Sequence, residues 1–333
     1  MNILEENPER FFHGTVRLEH EGGCFHPLRF TAGQVAHYDS RNEALAVRVR
    51  CQAGQTVEFA TDSSTVAVSG TAGTGARDYL SLDLEVDDYV SHPVFAEPAP
   101  LGDVAFTVWR QSEHEKRRMR RFCVHLPHVR KFALRSVEID EGAVVEPIPP
   151  RGLKLLCLGD SITQGMQARH PSNSYPSLLA RWLGAELLNL GVGGDVFDSR
   201  SLDRSLPFHP DVVTVAFGAN DWHQNLDRDA VARNVSLYVE TLRSMYRPGD
   251  VRIVVVSPIW AVDWAERRAG GTLAGFGRAI RDAAAAVEGV CAVDGFLLVP
   301  HDRRCFVDGL HPNDEGFALY AGGLMGVLQT LIR

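Results

Sequence analysis

The chain has 333 residues, 45% of them apolar and 23% charged, a composition that excludes a disordered or fibrous protein and leaves room for two ordinary domains. Its formal charge of -8 argues against general affinity for nucleic acid, because phosphate backbones need dense local Lys and Arg. The one concentrated basic run, Lys116-Arg117-Arg118-Met119-Arg120-Arg121, lacks interleaved aromatics and reads as the solvated face of a hairpin.

The chain opens on Asn2-Ile3-Leu4-Glu5-Glu6-Asn7, which is acidic and polar and unlike a cationic, apolar leader. No stretch reaches 18 apolar residues, so neither a membrane span nor a membrane partner is expected, and the expected location is cytoplasmic. From about Gly14 to Pro147 the pattern is that of strands. Gln55–Thr61 alternates polar and apolar residues, Thr65–Ser69 follows an Asp62-Ser63-Ser64 turn, and Ala105–Trp109 and Phe132–Ile139 repeat the period of two. A helical stripe is hard to find there, and turn signals such as Ala53-Gly54 and Glu141-Gly142 suggest an antiparallel sandwich. The cysteines Cys24, Cys51, Cys123, Cys157, Cys291 and Cys305 are scattered without a C-x-x-C, so neither a zinc ribbon nor a thioredoxin motif has support.

Beyond Pro147 and Pro149-Pro150 the period changes, which sets the predicted domains at 1–148 and 149–333. Leu153–Leu158, Glu186–Leu190, Val212–Phe217, Val251–Val256 and Val290–Val293 are short apolar runs of the kind parallel strands show when covered on both faces. Helical stretches fall between and after them, at Tyr175–Leu183, Asp229–Met245, Leu273–Val287 and Asp314–Leu331, the last preceded by Asn313 as a cap. This alternation predicts an α/β domain around a parallel sheet.

Sites on such sheets collect at the C-terminal ends of the strands, and four polar clusters fall there. Gly159-Asp160-Ser161-Ile162-Thr163-Gln164-Gly165 presents a serine at a strand-to-helix junction, although Asp and Ser are also favoured helix caps. Asn189-Leu190-Gly191-Val192-Gly193-Gly194-Asp195 lets backbone approach a ligand, but its glycine order does not match a dinucleotide loop. In Gly218-Ala219-Asn220-Asp221 the Asn amide can donate to a developing oxyanion, or be an ordinary turn residue. Asp308-Gly309-Leu310-His311 places a carboxylate and an imidazole across one turn. Alone it would be unremarked surface chemistry; with the other three clusters it completes an acyl-transfer site.

These four clusters, in this order, resemble the blocks of the SGNH (GDSL-type) hydrolase superfamily over residues 152–331. The resemblance implies a flavodoxin-like α/β/α domain that works without metal or cofactor. It implies Ser161 as nucleophile, Asp308 and His311 completing the triad, and Ser161, Gly194 and Asn220 as the oxyanion hole. The N-terminal half is similar to the β-sandwich (jelly-roll-like) that precedes this domain in some bacterial carbohydrate esterases and in a polyketide acyltransferase, the stretch Gly54–Val68 prompting the comparison.

The function expected is therefore hydrolysis of a small acyl ester, acetyl above all, of a carbohydrate or polyol through an acyl-serine. The alternatives are acyl transfer to a natural-product hydroxyl and carbohydrate binding without catalysis. A phosphodiesterase or nuclease would want a metal cluster or an arginine-rich pocket that the site loops do not show. Trp222, His223, Trp260, Trp264, His170 and Tyr175 lie near strand ends and are candidates for substrate contact, though packing under loops is the commoner use of such aromatics. Asp160 is expected to organise its loop. The partner is a small-molecule ester, and nothing in the sequence speaks to oligomeric state.

Overall fold

The computed structural model describes residues 1–247 and 249–332. Its first half runs β1 (Phe12–His13), β2 (Arg17–Glu21), β3 (Cys24–Leu28), α1 (Ala32–Arg41), α2 (Glu43–Arg48), β4 (Thr56–Thr61), β5 (Thr65–Gly75), β6 (Leu80–Val86), β7 (Tyr89–Ala96), β8 (Gly102–Arg110), β9 (Arg120–His125), β10 (Arg130–Ile139) and β11 (Val145–Pro147). The strands pair antiparallel into two sheets, of order β2-β3-β10-β5-β8 and β1-β4-β9-β6-β7, with β11 beside β4. Alternation along β5 turns Val66, Val68 and Ala72 inward, where they meet Phe59, Leu82, Phe122 and Leu134 in one core between the sheets. The predicted sandwich is present. The basic run is exposed and ion-paired except at Arg120, which is buried against Trp109: Arg117 faces Asp62 at 3.1 Å and Arg118 faces Asp87 at 2.9 Å.

One expectation for this half is corrected. The helices α1 and α2 interrupt it, where only strands were predicted. Thr31 and Gln34 form a reciprocal cap at the start of α1, and Asn42 caps α2 through a 3.0 Å bond from Leu45 N–H. They have no place in the sandwich core. Phe30, Val35, Tyr38, Leu45 and Val49 pack instead into the core beneath the C-terminal sheet.

The second half runs β12 (Leu153–Gly159), α3 (Ser161–Gln164), α4 (Tyr175–Leu183), β13 (Ala185–Gly191), β14 (Val212–Ala216), α5 (Ala219–His223), α6 (Arg228–Arg243), β15 (Arg252–Val256), α7 (Leu273–Ala285), β16 (Val290–Val293) and α8 (Asp314–Ile332). The sheet is parallel, in the order β13-β12-β14-β15-β16. Successive residues of β12 point to opposite faces. Leu156 and Leu158 join α6 and α7 on one side, and Leu155 and Cys157 join α4 and α8 on the other. This is the three-layer α/β/α arrangement predicted. Because the chain leaves β12 for one edge and returns for the other, a crevice opens beyond the ends of β13, β12 and β14.

Helix α8, of 19 residues, contains an 18-residue window of mean hydropathy 1.2, long and apolar enough by length and composition alone to cross a membrane. In the fold one face, with Phe317, Tyr320, Ala321, Leu324 and Leu328, is buried against the sheet. Asn313 caps its start as predicted, accepting at 2.9 Å from Gly316 N–H.

Candidate active site

The first polar cluster leaves β12 at Gly159 and turns at once into α3. Asp160 is the cap, its Oδ1 accepting from Ile162 N–H at 3.0 Å, and Ser161 is the first helical residue. The cap and presented-serine readings are thus the same structure. A Cβ at Gly159 would stand 2.6 Å from the Ala216 carbonyl oxygen, so this approach of β12 to β14 requires glycine. Burial pushes the Asp160 carboxyl up to about 7, helped by Asp221 and Asp195 nearby, and its work is to hold the turn.

His311 reaches the serine from the loop before α8. Its Nε2 lies 2.8 Å from Ser161 Oγ, and its Nδ1 lies 2.7 Å from Asp308 Oδ2. Asp308 Oδ1 also accepts from the N–H groups of Leu310 and His311 at 3.1 and 2.9 Å, which fixes the carboxylate across its turn. Burial would raise this carboxyl, but those bonds, led by the one from His311, hold it well below the usual carboxylate range. An ionised Asp308 requires the proton on Nδ1, which leaves the Nε2 lone pair facing the serine hydroxyl.

The second and third clusters follow β13 and β14, the strands on either side of β12. Gly194 has φ 84°, and its N–H and that of Ser161 have no acceptor among the described residues. Asn220 donates one of its two amide hydrogens to the Asp195 carbonyl at 2.9 Å, which fixes the side chain and leaves the other hydrogen to give. Asp221, behind it, is fully buried, and burial pushes its carboxyl up to about 7.

What holds the second cluster was invisible in the sequence. Four side chains from residues 29–48 grip it. Fully buried Arg29 donates to the carbonyls of Asn189 and Gly191, Arg48 donates to the Gly193 carbonyl at 2.8 Å, and Tyr38 and Arg41 bond the buried Asp195 carboxylate. Gln164 completes the set by accepting from Gly193 N–H at 2.8 Å. The Gly193–Gly194 peptide is therefore bound at its oxygen by a guanidinium, which polarises its N–H end. No local motif could have signalled this, since the partners are some 150 residues apart.

The aromatic candidates divide. Trp222 is fully buried, with Nε1 donating to the Gly271 carbonyl at 3.0 Å, and Tyr175 is fully buried with its hydroxyl 2.8 Å from Thr163 Oγ1. Both are core residues, which corrects their candidacy for substrate contact. His170 is engaged elsewhere, 3.0 Å from Asp83 Oδ1 and stacked on His92. Trp264 is sandwiched against Trp222 and exposed His223. Trp260 stays half-buried, stacked on His301, in a segment whose Val262 N–H bonds the Gly309 carbonyl beside Asp308.

Comparison with known proteins agrees with this architecture. No curated protein matches the sequence. Among solved structures, a salicylyl-acyltransferase, SsfX3, from a tetracycline biosynthetic pathway superposes with a TM-score of 0.78 at 21% identity, over 96% of this chain and 95% of that one. A family two carbohydrate esterase from Clostridium thermocellum gives 0.65 at 14% identity, over 85% and 94%. The acetyl xylan esterase Est2A from Butyrivibrio proteoclasticus gives 0.60 at 14%, over 84% and 90%. At these identities the likeness is one of fold, and it extends through both halves. Residues 157–319 match the GDSL-like Lipase/Acylhydrolase family. With three polar clusters at the ends of a parallel sheet, a fourth in the loop before α8 and a β-sandwich in front, the protein has the fold of the GDSL/SGNH-type hydrolase superfamily, whose family model its residues 157–319 match.

Proposed function

We propose that the protein is a serine esterase that removes small acyl groups, acetyl above all, from a carbohydrate or polyol through an acyl-serine intermediate. The observation that carries this reading is the unbroken chain from Asp308 through His311 to Ser161, with links of 2.7 and 2.8 Å. His311 Nε2 takes the proton as Ser161 Oγ attacks the ester carbonyl. The oxyanion is held by the N–H groups of Ser161 and Gly194 and by the Asn220 amide. His311 then protonates the departing alcohol, and water attacks the acyl-serine with the same imidazole as base.

The second reading is acyl transfer, in which an alcohol replaces water in the last step. The likeness of the whole chain to a salicylyl-acyltransferase favours it. Incubation with p-nitrophenyl acetate, p-nitrophenyl butyrate and an acetylated sugar, beside Ser161→Ala, tests the first reading. Turnover should fall at least about a thousandfold in the variant, with acetate preferred over butyrate. A folded wild-type protein inert on all three overturns the esterase reading, and product analysis with an added alcohol acceptor then decides for transfer.

A further inference from the structure

We infer that Arg48 and Arg77 form a carboxylate-binding subsite at the mouth of the Ser161 site, so that the ester acted on carries a carboxylate on its acyl or its alcohol part. This rests on the esterase reading and narrows its substrate class.

The guanidinium of Arg48 lies against the oxyanion side of the site. Its Nη1 bonds the Gly193 carbonyl and would stand 2.9 Å from a Cβ on Gly194. Arg77 lies at the other end of the triad, with Nη2 3.9 Å from Asp308 Oδ2. The two bracket the path from oxyanion hole to acid.

Arg48 has no carboxylate partner among the described residues, and Arg77 has Asp308 only at 3.9 Å, beyond hydrogen-bond distance. Several other partly buried arginines are ion-paired: Arg41 with Asp195, Arg130 with Asp78, Arg151 with Glu58 and Arg281 with Asp294. Arg48 donates only to a carbonyl among the described residues. Arg77 donates to the Ala76 carbonyl, and its buried Nε has no acceptor among them. Asp308 is shared: its oxygens accept from His311 Nδ1 and two backbone N–H groups, so at 3.9 Å it offers Arg77 its charge but no hydrogen bond.

The two guanidiniums also feel each other. Burial lowers the pKa of Arg48, and the charge of Arg77 lowers it further. In a chain of net charge -8, two guanidiniums on either side of Ser161 with one shared carboxylate near them are a site for an anion. The sandwich supplies both, Arg48 from the end of α2 and Arg77 from the loop after β5. Arg77 Nη1 is taken by the Ala76 carbonyl, and Nη2, which makes no hydrogen bond among the described residues, is left to donate to a carboxylate.

Binding separates this inference from catalysis. Protein carrying Ser161→Ala is titrated calorimetrically with two pairs of esters, monoethyl succinate against ethyl butyrate, and O-acetylated galacturonic acid against O-acetylated galactose. The first pair tests a carboxylate on the acyl part, the second one on the alcohol part. In one of the pairs the anionic ester should bind about ten- to a hundredfold more tightly, the range of one or two charge-assisted bonds. Adding Arg77→Gln should remove most of that preference, and Arg77→Lys should restore part of it. High salt should weaken the anionic ester alone. Equal affinities within both pairs, or a preference untouched by Arg77→Gln in a folded protein, overturn the subsite. Turnover of the same esters by wild-type protein tests the esterase reading separately, so either can fail without the other.

Discussion

The molecule contains two clusters of the same three residue types. In the first, Asp308 bonds His311, and His311 bonds Ser161. In the second, Asp83 stands in the middle. Its Oδ1 accepts from His92 and His170 at 2.8 and 3.0 Å, and its Oδ2 accepts from Ser172 N–H and Oγ at 2.9 and 2.6 Å. These ligand-type atoms of Asp83, His92 and His170 lie within 4.8 Å of one another, yet each carboxylate oxygen is already served by two donors. Histidine is the middle member of the first cluster and a terminal one in the second. Only a central imidazole can pass a proton between a hydroxyl and a leaving group while a carboxylate supports its charge. The Asp83 cluster instead fastens the segment after Ser161 to the sandwich, a task shared by Tyr79 and His128, which both donate to the Ala168 carbonyl.

The sharpest way to break the comparison is to remove one charge from each cluster. Asp308→Asn should cut kcat by roughly a thousand- to ten-thousandfold while barely moving the melting temperature, because the amide favours the wrong tautomer of His311. Steady-state kinetics beside a thermal melt would show it, and a loss under tenfold would remove Asp308 from the triad. Asp83→Asn should do the reverse. It should cost about 3 kcal/mol of stability, since it breaks a fully buried charge network, with activity per folded molecule staying close to wild type.

The smaller effect is in the pH dependence of stability. Against burial, the bonds from His170, His92 and Ser172 hold the Asp83 carboxyl well below its ordinary range. Its contribution is present above the unfolded carboxylate pKa, about 4, and is lost as pH falls below that value. His128 acts earlier. Burial pushes its pKa down to about 4, so between the unfolded value of about 6.5 and that value the unfolded chain takes up a proton that the fold refuses. Stability should therefore fall in two stages on acidification, first by an amount on the order of 3 kcal/mol through His128 and then through Asp83. Urea unfolding across pH 3 to 7 should show the first stage absent in His128→Gln and the second reduced in Asp83→Asn, the remainder coming from other depressed carboxyls such as Asp308. A single transition below pH 4 in wild type would remove the role given to His128.

The contrast also explains what could be read in advance. The residues of the first cluster sit in short local motifs, Ser161 at the end of an apolar strand and Asp308 with His311 just before a long helix, and short-range patterns carry such information. The strands of the parallel sheet and its long helices were legible for the same reason. Asp83 was not, because His170 and Ser172 lie nearly 90 residues away along the chain. Helix α1 was hidden by its chemistry. The side chains it buries are Gln34, Val35 and Tyr38, and two of these are there for polar partners, the Ser201 carbonyl and Asp195. A helix that docks through hydrogen bonds has no apolar stripe to betray it. Trp222 and Tyr175 show the opposite failure, since proximity to a strand end in sequence says nothing about which way a ring points.

Helices α1 and α2 carry a consequence for how this architecture can be divided. They belong by sequence to the sandwich and by packing to the layer beneath the parallel sheet. A cut near residue 149 would strip Tyr38, Leu45 and Val49 from that layer and leave the Asp195 carboxylate buried without Arg41. The α/β part is thus no detachable module to be grafted onto other carriers. The joint between the halves runs through the loop after β13, and keeping that loop in shape takes residues 29–48 as well as the α/β part.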